Sequence, residues 1–161
     1  MNPLNFIGLN VSGGLLPIVL ALYQFQRAPI LAILGVSAIV AVISYFLVTV
    51  ISGRGIFVGL LRFLLISSIA AVSALPWVAG GDNRLDTSVA FAGGVLGTTI
   101  GGDLFYLKDV HLKDVHFEDA ENPLSVGGAG LDDLIAASGF YALIIAEWLP
   151  AAISWLSGYF T

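Results

Sequence analysis

The chain has 161 residues, of which 58% are hydrophobic and only 11% charged, with a mean hydropathy of +0.96; a soluble domain carries about a quarter charged residues. A water-soluble globule of this length cannot hide so much apolar surface. A disordered or fibrous chain is excluded by the apolar content and by the lack of any Gly-X-Y or heptad period, so an integral membrane protein remains. The net charge of -5, with six scattered Lys and Arg, excludes a nucleic-acid partner, and the absence of cysteine excludes disulfides, thiolate nucleophiles and zinc–thiolate sites.

The hydropathy pattern predicts an all-α fold: a polytopic transmembrane helical bundle of about five spans, forming one integral membrane domain over residues 1–161. The first apolar run, residues 6–25, has no Lys or Arg before Arg27, so it reads as a retained segment and not as a secretory signal. Asn10, Ser12, Gly13, Gly14 and Pro17 interrupt it, which makes this span either broken or re-entrant. After a turn from Gln24 to Pro29, a cleaner run covers residues 30–51 and stops at Ser52-Gly-Arg-Gly55. The third run, residues 56–78, places Arg62 to snorkel toward one surface and Pro76-Trp77 at the other.

A polar turn from Gly80 to Asp86 follows, with Thr87 or Ser88 in position to cap a fourth helix over residues 88–107. Gly93, Gly94, Gly97, Gly101 and Gly102 give that helix a small-residue face suited to close helix contact, within the chain or between copies of it. The polar loop 108–126 carries most of a pentad repeat spanning residues 107–121, in which His111 and His116 alternate with acids; their spacing suits neither a strand face nor a helix face, so no metal site is expected. The fifth run covers residues 131–149, with Trp148, Trp155 and Tyr159 as aromatic anchors and the residues after Pro150 interfacial. Lys and Arg counted by side favour a cytoplasmic N-terminus, unless a re-entrant first span changes the parity.

Ionisable residues inside membrane helices are the informative ones, because an Asp near the middle of a span costs about 2.5–3.5 kcal/mol. Asp103 lies near the end of helix four, and Asp132 and Asp133 at the start of helix five, so all three approach one membrane face. Two carboxylates in a poorly hydrated site cannot both ionise easily and can hold a single proton between them. In an aspartyl hydrolase one such carboxylate activates water while its protonated partner polarises the carbonyl under attack. The glycines Gly128, Gly130 and Gly102 would admit an extended peptide, and Asn10 from the broken first helix would complete a substrate or ion site. A purely structural reading competes: acids in the first turn of a helix are favoured as caps and by the helix dipole.

The blocks Asn10-Val-Ser-Gly-Gly-Leu-Leu-Pro17, Gly97-Thr-Thr-Ile-Gly-Gly-Asp-Leu104 with Leu107-Lys-Asp109, and Gly127-Gly-Ala-Gly-Leu-Asp-Asp133 leading to Gly139 span most of the chain. In these blocks the chain resembles a family of small prokaryotic polytopic membrane proteins catalogued as a domain of unknown function. The resemblance implies a multi-pass protein of a prokaryotic cell membrane and aligns the two family acids with Asp103 and Asp133; it implies no activity. A looser likeness runs to intramembrane aspartyl proteases of the presenilin, signal peptide peptidase and prepilin peptidase kind, which pair one Asp with a Gly-x-Gly-Asp. Here Leu131 intervenes between Gly130 and Asp132, Asp103 follows Gly102 where the presenilin branch has Tyr, and no Pro-Ala-Leu element follows helix five.

The leading expectation is therefore a membrane-embedded aspartyl-type peptidase without cofactor, with Asp103 and Asp133 as its dyad and Asp132 as the alternate, acting on a membrane peptide. The alternative is a cation or proton transporter or channel element that uses the same acids as its binding site. A third reading is a non-catalytic subunit that forms homo-oligomers through the glycine face of helix four.

Overall fold

A computed structural model describes residues 8–51, 55–77, 83–105, 125–127 and 133–159. Among the described residues the fold is helical, with five α-helices: α1 (Leu16–Tyr23), α2 (Ile30–Leu47), α3 (Leu60–Ala74), α4 (Asn83–Thr98) and α5 (Leu134–Ser157). Two small two-stranded ladders tie the helix ends together. Strand β1 (Gly8–Leu9) pairs in parallel with β4 (Ser125–Val126), and β2 (Thr49–Ile51) pairs antiparallel with β3 (Gly55–Phe57).

Two of the helices carry a widened π-helical turn at one end. Val11–Leu15 leads into α1, and Thr99–Leu104 continues α4. Such turns arise where the regular hydrogen-bond ladder is interrupted, and they gather at functional sites. The β2–β3 hairpin takes the adjoining ends of the second and third apolar runs, because Val48-Thr-Val-Ile51 is a β-branched stretch that favours extended backbone. Arg62, read from sequence as snorkelling, donates to the Leu47 carbonyl at 3.0 Å and so closes the C-terminus of α2. Helix α4 begins at Asn83, so Thr87 and Ser88 lie within it and do not cap it.

Helix α4 sits in the middle of the bundle, packed against α2, α3 and α5, with Val89, Ala90, Ala92 and Val95 fully buried. Its glycines explain the closeness of that packing. A Cβ on Gly93 would overlap Val36, one on Gly97 would overlap Val40, and one on Gly101 would overlap the Ala41 carbonyl, so α2 lies almost backbone to backbone along this stripe. Gly94 and Gly139 meet in the same way on the α5 side. The stripe on which assembly between copies was expected is thus covered within the chain.

The α4–α5 contact is also pinned by polar groups. The Thr98 and Ser138 hydroxyls lie 3.0 Å apart, and both reach the Gly94 carbonyl, at 2.7 and 3.2 Å. In a dry interior each hydroxyl would be costly if left unpaired, so the cluster fixes the register of the two helices as well as their separation.

Among the described residues, three helical stretches are long and apolar enough to cross a membrane: Ile30–Leu47, Leu60–Trp77 and Leu134–Ser157. Large apolar side chains on their outer faces, among them Leu31, Phe46, Leu61 and Phe140, are exposed, which lipid tolerates and water does not. The protein is a multi-pass membrane protein. The apolar helix Val11–Gln26 is shorter than those three, and α4 is enclosed by its neighbours.

Candidate functional site

Asp103, Asp133, Asn10 and Gly127 converge at one end of the bundle, where the two widened turns meet β4. Asp103 sits in the widened turn after α4 and is 8% exposed. Its carboxylate accepts a hydrogen bond from the backbone N–H of Gly127 and lies within direct electrostatic reach of Asp133. Asp133 is the N-cap of α5, where its Oδ1 accepts the Ile135 N–H at 3.0 Å. The capping role foreseen for an acid here is real, and it also orients Asp133 at the level of Asp103.

Gly127 links this pair to the start of the chain. It adopts a φ of +72°, a left-handed conformation in which a side chain is strained. A Cβ there would also overlap the backbone of Gly13 and Gly14. The bond from Asn10 N–H to the Val126 carbonyl at 2.9 Å continues the β1–β4 pairing into the first widened turn. Asn10 Oδ1 caps that turn, accepting from Ser12 N–H at 3.0 Å, Ser12 Oγ at 3.0 Å and Gly13 N–H at 3.1 Å.

Of the residues proposed from sequence, Asp103 and Asp133 are brought together, and Asn10 stands on the adjoining segment with its side-chain oxygen committed to its own turn. Gly102 faces Leu134 of α5, where a Cβ would lie 3.1 Å from Leu134 Cδ2 and 3.7 Å from Val48 Cγ2. It therefore serves the approach of α4 to α5. Asp132, Gly128, Gly130 and the two histidines fall outside the described residues. What sequence reasoning missed was the role of Gly127: the glycine cluster was visible, but no spacing rule reveals that its first member donates to an acid 24 positions earlier.

Comparison with known families reaches the same blocks of sequence. The model of one family matches residues 2–145, and its description is "Protein of unknown function (DUF1614)". The chain belongs to that family. No curated protein and no solved structure matches it, and the likeness to intramembrane aspartyl proteases finds no support in these comparisons. The matched region takes in both acids, both widened turns and Gly127, and it stops within α5.

Chemically, the arrangement sets a nearly buried carboxylate, Asp103, within electrostatic reach of the half-buried Asp133, beside irregular backbone at Val11–Leu15, Thr99–Leu104 and Gly127. Two negative groups so placed repel one another, and a bound proton or cation relieves that repulsion. Discontinuous helices that expose backbone groups beside an acid are a recurring way to build an ion site inside a membrane protein.

Proposed function

We propose that this family member binds a cation, either a proton or a small alkali ion, at the Asp103–Asp133 pair as part of a transport or channel function in the membrane of a prokaryotic cell. The observation that carries the reading is the location of a nearly buried carboxylate in a widened helical turn, within electrostatic reach of a second carboxylate at the start of another helix. The five helical segments would all cross or enter the membrane, α1 as a broken or re-entrant element, with the N-terminus cytoplasmic.

Peptidase chemistry is the second reading, favoured by the same meeting of two carboxylates from different helices. It is the weaker of the two on the geometry. Gly102, Gly13 and Gly14, the described glycines nearest the pair, are taken up by packing against Leu134 and Gly127 and leave no open face toward a substrate backbone.

Reconstitution into vesicles separates the readings. With a pH-sensitive dye inside and an imposed membrane potential, wild-type protein is expected to dissipate a proton or alkali-ion gradient, and Asp103→Asn to abolish that flux. Equal flux for the two proteins would overturn the cation reading. Cleavage of membrane peptides that is lost in both Asp103→Asn and Asp133→Asn would establish the peptidase instead.

A further inference from the structure

The last turns of α5 extend past the body of the bundle. Helix α5 runs antiparallel to α4, with Leu134 against Gly102, Ser138 against Thr98 and Gly139 against Phe91 and Val95. Continued along the helix, this register brings Glu147 level with the first turns of α4, which carry Arg84 and Asp86. Helix α2 runs parallel to α4, with Val36 against Gly93 and Val40 against Gly97, so Arg27 before its start falls at the same level. The exposed Arg27 and Glu147, from two elements, thus mark one plane, the far surface of the membrane-embedded body.

Beyond that plane lie Ala151 to Tyr159, a stretch without a single charge and exposed on every side, with Trp155 at 64% and Tyr159 at 73%. If α5 continued straight, Trp155 would stand about 12 Å and Tyr159 about 18 Å past Glu147 at about 1.5 Å per residue. The headgroup layer is only about 5–7 Å deep on each side, so these rings would end in water. Sliding α5 inward would instead draw the exposed Glu147 into hydrocarbon, where a carboxylate is costly.

Pro150 resolves the conflict. It has no N–H to donate to the Ala146 carbonyl, and its ring crowds that turn, so the helix bends there at little cost. We infer that α5 bends at Pro150 and that residues 151–159 lie along the headgroup–acyl boundary of the bilayer, as an uncharged anchor held by the Trp155–Tyr159 ring pair, whose centroids are 4.8 Å apart. The segment lies past residue 145, where the family match stops. The anchor stands independently of the cation reading.

The chain has no cysteine, which makes single-site labelling direct. Spin labels are introduced one at a time by Cys substitution from Ala151 to Ser157 in the full protein in phosphatidylcholine vesicles, and depth is read from the balance of oxygen and nickel-chelate accessibility. A surface-lying helix gives depths that oscillate with a period of about 3.6 residues around a constant mean near the headgroups. A steady change of about 1.5 Å per residue would show a transverse helix and overturn the inference. Water-level accessibility throughout, or spin–spin broadening that grows with protein density, would overturn it in favour of a soluble tail or a second copy.

Discussion

The seam between α2 and α4 and the Asp103 end of α4 belong to one continuous helix, yet they are built on opposite principles. Along the seam, Gly93 and Gly97 in the regular helix, and Gly101 in the widened turn that continues it, remove side chains so that the two helices approach closely. Within that same widened turn, two residues after Gly101, a buried carboxylate lies within reach of Gly127 and Asp133. The rigid part holds helices that could not hold themselves together by hydrophobic force in lipid, and the irregular part carries the costly group. Both share the residues around Gly101, so the scaffold ends where the site begins.

The largest effect that would break this contrast is expected at the seam itself. Gly101→Ala drives a methyl into the Ala41 carbonyl, which has no rotamer with which to yield, and costs about 3 kcal/mol, at the upper end of overpacking penalties; loss of monodisperse protein, or a matching fall in thermal stability in detergent, checks it. Asp103→Asn acts on the other side of the contrast. The fold remains, and the stabilisation of about 2.7 kcal/mol that a ligand at a hundredfold its Kd confers disappears from cation titrations of thermal stability.

Gly127→Ala sits between the two. It strains a left-handed residue and collides with Gly13 and Gly14, so a loss of about 2 kcal/mol is expected together with a weakened cation response. Ser138→Ala removes one hydroxyl from the buried cluster with Thr98 and lowers stability by about 1 kcal/mol without changing the cation response. Gly59→Ala, with nothing within 4 Å of the added methyl, stays within about 0.5 kcal/mol of wild type and serves as the control.

The membrane class and the helical nature were legible in the sequence because apolar composition and run length are sums over many residues. The meeting of Asp103 with Asp133 could be anticipated from the sidedness of consecutive spans. Three features could not be read. The widened turns at Val11–Leu15 and Thr99–Leu104 depend on tertiary contacts that no local propensity encodes. The parallel pairing of Gly8-Leu9 with Ser125-Val126 joins segments far apart in sequence, and two-residue strands leave no periodic signal. The direction in which the glycine stripe faces was open, since small residues favour close contact within a chain as readily as between chains; overlap of Gly93 and Gly97 with Val36 and Val40 decides it for the interior.

The central claim is that Asp103 and Asp133 act as a single site, and a double-mutant cycle tests it most directly. Cation- and pH-dependent thermal stability is measured for wild type, Asp103→Asn, Asp133→Asn and the double variant, with Asn at position 133 retaining the capping oxygen of α5. The account predicts that either single change removes the dependence and that the double variant loses nothing more. Two independent, additive losses, or a dependence untouched by both changes, would contradict it.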